Sequence, residues 1–357
     1  MKKKVAIIGA TGIAGQQFLA ALPNHPDFEI THLAASARSA GKTYLEALQE
    51  PGGSTGWWCD EPLDENLAAM QVVNAEDFDA REVDIVFTAI ESDAAKVLEP
   101  RYAQTTPVIS TASAFRYYDD VPIFIPGVNN NHAALIKRQQ RDRGWKGFVT
   151  PIPNCTTTGL AVTLKPIFDN WGISKVVMTS MQAMSGAGRR GGVLGLDAIE
   201  NVIPYISGEE EKVQKETQKI LGSLNGEQIV DANFPVSATC TRVAVLDGHT
   251  EAVYVATEKP VSVDEVKAAM REFTGGLDGL PTAPQPVIQV FEDPFRPQPR
   301  RDRDAGGGMT TSVGRLREET ALGENGVKYV LVSHNTKAGA AKGAILVAEL
   351  LGRDGYL

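Results

Sequence analysis

Through the first 150 residues, short apolar runs alternate with stretches of helical spacing: Val5–Ile8, Ile30–Ala35, Val83–Ala89, Val108–Ser110 and Ile123–Ile125. Strands covered on both faces read as continuous apolar runs, and strands separated by helices run parallel. The rhythm therefore predicts a doubly wound parallel sheet. After residue 155 the pattern lengthens. Lys175–Ala183, Ala238–Leu246 and Glu251–Thr257 read as strands, and Asp197–Tyr205, Glu209–Leu221 and Val263–Phe273 as helices, a mixed α+β arrangement. Two prolines in Thr150–Asn154 mark the boundary between the two characters. Lys328–Val332 reads as a further strand. Ala338–Leu351 reads as an Ala/Leu-rich helix whose small residues permit close packing on the N-terminal domain. The expected division is residues 1–154 completed by 335–357, and residues 155–334. Pro294–Asp304, with three prolines and four arginines, reads as a long charged surface loop, and there is no internal repeat.

With 357 residues, 43% of them hydrophobic, the chain can bury the cores of two domains. A formal charge of -9 argues against non-specific binding to nucleic acid or to an anionic membrane surface, so any anionic ligand must be met locally. Cys59, Cys155 and Cys240 are too few and too scattered for a disulfide framework or a metal centre, which points to a reducing, cytoplasmic setting. The lysines at 2–4 precede an apolar run of only four residues before glycines interrupt it, unlike a signal segment. No apolar stretch is long enough for a membrane span.

Two motifs carry chemistry. Gly9-Ala10-Thr11-Gly12-Ile13-Ala14-Gly15 follows a strand and opens the apolar helix 13–22. Glycines there let backbone amides approach a pyrophosphate at a helix N-terminus, making Gly9, Thr11, Gly12, Ile13 and Ala14 candidate cofactor contacts. At the end of the second strand an acidic residue would hold a ribose 2′-hydroxyl, whereas cations would hold a 2′-phosphate. Residues 35–42 contain no carboxylate, and Ser36, Arg38, Ser39 and Lys42 offer donors and positive charge. The expected cofactor is NADP(H).

The second motif is Pro153-Asn154-Cys155-Thr156, ahead of helical spacing over 157–168. It places a thiol at a helix N-terminus, where the dipole favours thiolate. A thiol beside a nicotinamide can capture an acyl group as a thioester for reduction by hydride. Cys240, inside an alternating strand, and Cys59, beside Trp57-Trp58, read as packing residues. His249, at a glycine-containing break between two strands, is the best partner for the thiol. His334 is a weaker rival, while His25, His32 and His132 are placed in loops or on exposed faces.

Further segments join these: Gln182–Gly188, Arg242 with Gly248-His249-Thr250, and Asn335–Ala341. With the glycine loop, residues 36–42 and residues 153–156, they resemble the aspartate-semialdehyde dehydrogenases, most closely the archaeal and fungal type, in the family's order from residue 5 to residue 351. The resemblance implies a Rossmann-like domain plus an α+β catalytic and dimerisation domain, in a homodimer or homotetramer. It implies NADPH-dependent reduction of L-aspartyl-4-phosphate to L-aspartate 4-semialdehyde, a step toward lysine, methionine and threonine. On it, Cys155 is the acyl-thioester nucleophile, His249 the acid/base catalyst and Gln182 a substrate-positioning residue. Arg242 grips the substrate carboxylate, Glu209 meets its ammonium group, and Arg116 and Lys212 meet the phosphate. Asn154 with backbone amides would hold the oxyanion, and Ser185, Gly186 and Asn335 would join the cofactor site. Residues 110–116 depart from the pattern by lacking its asparagine. Malonyl-CoA reductases closely resemble this type and keep the thiol, arginine and histidine; N-acetylglutamyl-phosphate reductase is more distant. A silent NADP(H)-binding regulator would be expected to lack the thiol or the histidine.

Overall fold

The computed structural model describes residues 1–50, 52–188 and 195–357. They form two compact units, one of 1–122, 133–152 and 340–357, the other of 123–132 and 153–339.

The first unit is built on six parallel strands, β1 (Lys3–Ile8), β2 (Phe28–Ala35), β3 (Val72–Asn74), β4 (Ile85–Thr88), β5 (Val108–Ser110) and β6 (Val149–Pro151), in the order β3-β2-β1-β4-β5-β6. Its helices are α1 (Ile13–Ala21), α2 (Tyr44–Ala47), α3 (Glu65–Ala69), α4 (Ser92–Ala103), α5 (Leu135–Arg143) and the C-terminal helix Ala341–Arg353. β4 and β5 are buried along their whole length, as strands covered on both faces must be. One side of the core gathers Ile8, Val86, Val108 and Val149 with Phe78, Tyr102 and Phe115. The C-terminal helix packs on α1, and buried His25 Nε2 lies 2.7 Å from its Glu349.

The second unit carries the sheet β10-β7-β11-β14-β13-β12. Its strands are β7 (Lys175–Gln182), β10 (Val236–Arg242), β11 (His249–Ala256), β12 (Ile288–Val290), β13 (Thr311–Glu318) and β14 (Gly326–Ser333), with a separate hairpin of β8 (Ser223–Asn225) and β9 (Gln228–Val230). Helices α6 (Cys155–Trp171), α7 (Gly195–Ala198), α8 (Glu209–Ile220), α9 (Val263–Glu272) and α10 (Pro299–Asp302) complete it. The α/β class with a Rossmann-like parallel sheet and a second, mixed sheet is thus the observed architecture.

Several local expectations differ. Residues 123–125 are buried but pair with no strand, while the three-residue β3 and β6 complete the first sheet. The helix expected over 197–205 is reduced to α7, and Leu196, Ile199, Val202 and Tyr205 lie exposed. The charged loop 294–304 is not simply solvated: Arg296 pairs with buried Asp302, which also accepts from the Gln298 amide. His25 and His132 are buried, not exposed, because each finds a partner; His132 lies between the Asn129 amide (3.0 Å) and the Gly222 carbonyl (3.1 Å). Half-buried His32 pairs with Glu82 at 2.9 Å.

Candidate active site

In the first unit, strand order reverses between β1 and β4, which is where a doubly wound sheet opens a crevice at the carboxyl ends of its strands. Gly9 leaves β1 there with φ +85°. A Cβ on it would fall 2.3 Å from the Ala89 carbonyl oxygen, and one on Gly15 2.2 Å from the Gly9 oxygen. Only glycine allows this closeness. The first residue of α1 follows Gly12, which supplies no side-chain cap, and its first turn holds no acid, so its amide dipoles remain suited to an anion. Thr11, Ile13 and Ala14 sit half-buried around this turn. Beyond β2, Ser36, Arg38 and Lys42 are exposed, whereas Ser39 is buried and its amide donates to the Ser36 carbonyl (2.9 Å), shaping the turn. These donors fit a dinucleotide carrying an extra ribose phosphate. Arg116 is buried in the loop after β5, its Nε donating to the Ile152 carbonyl and an Nη to that of Thr111, both at 3.0 Å.

In the second unit, strand pairing assembles a row. Arg242 pairs with Gln182, Thr250 with Met181 and His249 with Ser333, so Arg242, Gln182 and His249 come level at one end of three adjacent strands. Against that row stands Cys155, the first residue of α6, with Sγ 3.1 Å from His249 Nε2. The Ala183 amide donates to His249 Nδ1 (3.1 Å), which leaves the proton of the neutral ring on Nε2, facing sulfur. His249 is fully buried; burial, then the charge of Arg242 and the nearby His334, push its pKa down to about 3. The ring is neutral near pH 7, and sulfur is the acceptor. His334 instead lies 3.6 Å from Asp304 and contacts Thr336.

Glu209 collects the remaining candidates. Its carboxylate accepts from Asn154 Nδ2 (2.8 Å), Gln182 Nε2 (3.3 Å) and Lys212 Nζ (3.0 Å). Burial pushes this carboxyl up, but the Lys212 charge and these hydrogen bonds outweigh it and hold the group below its ordinary value. Asn154 has a scaffolding task as well. Its Oδ1 caps α6 by accepting from the amides of Thr156 (2.9 Å) and Thr157 (3.4 Å). Those amides are therefore engaged with the cap in this geometry, as is the Asn154 side-chain amide with Glu209. Arg242 donates through Nη1 to the Ala183 carbonyl (2.7 Å), and its buried Nε has no hydrogen-bond partner among the described residues.

Backbone closes over the row. A Cβ on Gly186 would sit 3.0 Å from Arg242 Nη1 and 3.1 Å from His249 Cε1, and one on Gly339 would sit 2.8 Å from Cys155 Cβ. Asn335 ties the cover down, accepting from the Gly248 amide and donating to Ser185 Oγ, each at 2.8 Å. Cys240 behaves as packing: it is fully buried, and burial pushes its thiol up to about 12. Two contributors escaped the reading of the sequence. Glu216 accepts from the Asn154 amide (2.6 Å); it lies seven residues beyond Glu209 on one face of α8, a spacing that was visible. The Ala183 amide that orients His249 belongs to the backbone, and no side-chain pattern announces it.

Residues 4–136 match the model of the semialdehyde dehydrogenase NAD binding domain, and residues 164–337 that of the semialdehyde dehydrogenase dimerisation domain. The aspartate-semialdehyde dehydrogenase of Methanothermobacter thermautotrophicus is 46% identical over 97% of this chain and 98% of its own. The chain belongs to the aspartate-semialdehyde dehydrogenase family. Among solved family members, the Candida albicans enzyme, determined with NADP, is 38% identical with a TM-score of 0.88 over 100% of both chains. Aspartate semialdehyde dehydrogenase II of Vibrio cholerae, determined with ASA, is 30% identical with a TM-score of 0.78 over 99% of both.

Proposed function

We propose that this family member reduces L-aspartyl-4-phosphate to L-aspartate 4-semialdehyde, with NADPH as reductant and Cys155 as the covalent nucleophile. The observation that carries the reading is the 3.1 Å contact of Cys155 Sγ with His249 Nε2 at the start of a 17-residue helix. Both the helix dipole and the Nε2–H favour the thiolate. The thiolate attacks the acyl carbon, a C–S bond forms, and the tetrahedral oxyanion collapses with loss of phosphate to leave a thioester. The glycine loop, with Arg38, Ser36 and Lys42 as donors for a 2′-phosphate, would hold NADPH, whose hydride would add to the thioester carbon; cleavage of the C–S bond then releases the aldehyde and returns the Cys155 thiolate. His249, expected to act as acid/base catalyst, has Nδ1 taken by the Ala183 amide and Nε2–H on the sulfur; its role in this reading is instead to donate that hydrogen bond to the thiolate and to charge developing beside it, at capture and at release.

Arg242 grips the α-carboxylate: its unmet buried Nε is a donor that a carboxylate would satisfy through a planar two-donor contact. Glu209, kept anionic, meets the substrate's ammonium group, and Gln182 positions the acyl end. Asn154 acts by aiming Cys155 and Glu209, since it caps the one and bonds the other. Arg116 and Lys212 supply cations for the phosphate. Ser185, Gly186 and Asn335 would contribute to holding the cofactor. The test runs the reaction in reverse, with aspartate semialdehyde, phosphate and NADP, beside a malonyl-CoA reduction assay. Turnover of malonyl-CoA at the higher kcat/KM would overturn the substrate assignment, and no turnover of either would favour a silent binding protein.

The exposed apolar residues 196, 199, 202 and 205 fall within the stretch matching the dimerisation model, which supports a homodimer or homotetramer formed through this unit. Three cysteines, none in a disulfide among the described residues, suit a cytoplasmic setting, and among the described residues no helix is long and apolar enough to cross a membrane.

A further inference from the structure

Glu99, on α4 of the first unit, is fully buried, and nothing in the mechanism above uses it. Its Oε1 accepts from Thr88 Oγ1 at the end of β4 and from Ser110 Oγ at the end of β5, both at 2.6 Å. Its Oε2 is buried with no partner among the described residues. A buried carboxyl is costly, and two hydroxyl donors could be satisfied by a neutral amide at less cost.

The bonds lead onward to Arg116. Ser110 Oγ accepts from the Ala112 amide (2.9 Å), and Thr111 donates through its amide (3.0 Å) and hydroxyl (3.2 Å) to the Thr88 carbonyl. The Thr111 carbonyl then holds an Arg116 Nη, and the Ile152 amide donates to the Ser110 carbonyl (2.9 Å) while the Ile152 carbonyl holds Arg116 Nε. Every one of these contacts hangs from the strand ends that Glu99 joins.

We propose that Glu99 is the positioning residue of the phosphate subsite, fixing the loop 110–116 that presents Arg116 and taking up a proton when Arg116 holds an anion. The inference rests on the reading of Arg116 as a phosphate ligand. Burial pushes the Glu99 carboxyl up to about 7, held from rising further by the hydrogen bonds from Ser110 and Thr88 and by the Arg116 charge. Among the described residues, the charged and titratable groups around it are that guanidinium and Tyr102, farther along α4. An anion on Arg116 offsets the positive charge that keeps Glu99 ionised, so the carboxyl gains a proton. By reciprocity, phosphate binds more tightly where Glu99 is already protonated.

The experiment compares the KM for inorganic phosphate, in the reverse reaction, of wild type and Glu99→Gln across the neutral range. Phosphate's own ionisation moves both proteins alike and cancels in the ratio. The wild-type KM should match the variant's near about pH 6 and exceed it about fivefold near about pH 8.5, as expected for loss of one screened charge repulsion. Ser110→Ala should raise the phosphate KM at every pH with the NADP KM unchanged, because it loosens the loop while sparing the glycine loop. If Glu99→Gln does not fold, calorimetry of phosphate binding to wild type in two buffers of different ionisation enthalpy counts the proton directly, with Arg116→Gln as the control that removes it. A ratio flat with pH, or no proton taken up beyond phosphate's own, overturns the role of Glu99 when Arg116→Gln still weakens phosphate. An Arg116→Gln variant with unchanged phosphate KM overturns the reading of Arg116 itself.

Discussion

Gly186→Ala separates the geometry of the row from the stability of the fold. The added methyl would lie 3.0 Å from Arg242 Nη1, 3.1 Å from His249 Cε1 and 3.3 Å from His249 Nε2, where ordinary contact begins near 3.4 Å. Arg242 is anchored by the Ala183 carbonyl and His249 by the Ala183 amide, so neither can retreat without losing a bond to the same residue. The strain moves the pair, or the loop over it, by about 0.3 Å; with a misplacement of about 1 Å costing about 100-fold, kcat/KM should fall about fourfold. Gly186 needs no left-handed backbone and is exposed, so the thermal midpoint should be unchanged. Gly188→Ala is the complementary control. Gly188 has φ +65° with no described atom within 4 Å of an added Cβ, so that variant should lose about 1 kcal/mol of stability and keep its kcat/KM. Nicotinamide absorbance in the reverse reaction and thermal melts measure both. A Gly186→Ala enzyme with wild-type kcat/KM would refute the claim that the cover sits against working side chains.

Cys155→Ser should abolish turnover with NADP affinity kept, and retention of more than about a tenth of the wild-type rate would exclude the thioester route. Arg38→Ala should weaken NADPH far more than NADH, by about 1.5–3 kcal/mol for a charge-assisted bond, measured by fluorescence titration; equal losses would remove Arg38 from the 2′-phosphate site. Arg242→Lys should lower both kcat and kcat/KM for aspartate semialdehyde, since lysine keeps the charge without the two-donor fork; wild-type turnover would make Arg242 structural. His249 is held neutral when folded, so the unfolded chain binds the extra proton first, and its contribution to stability is lost as pH falls below its unfolded value of about 6.5 toward about 3. Melts between about pH 6.5 and pH 4 should therefore show a steeper decline for wild type than for His249→Asn; parallel declines would contradict the buried neutral ring.

How far these features could be read from residues alone depends on the physics behind each. The parallel sheet was legible because strands covered on both faces leave continuous apolar runs such as Val5–Ile8 and Val83–Ala89. The three-residue β3 and β6 were not, because pairing partners, not local composition, make so short a strand. The thiol at a helix start was legible from Pro153-Asn154-Cys155-Thr156. The burial of His25 was not, since its partner Glu349 lies 324 residues away. Asn154 looked like an oxyanion donor by its place beside the thiol, but its oxygen faces the amides of α6 and its nitrogen faces Glu209. Side-chain orientation of that kind is set by tertiary contacts the sequence does not display.

The level row also determines where the chain can tolerate insertions. The ladders joining β10, β7, β11 and β14 run without a register shift, whereas β13 against β14 shifts between Gly314 and Arg317. A single residue added within β7 would turn Gln182 to the opposite face and carry it out of line with Arg242 and His249. The same insertion in β13 would be absorbed where the ladder already slips, so a scan of one-residue insertions should find the far half of this sheet free to drift and the near half locked to its chemistry.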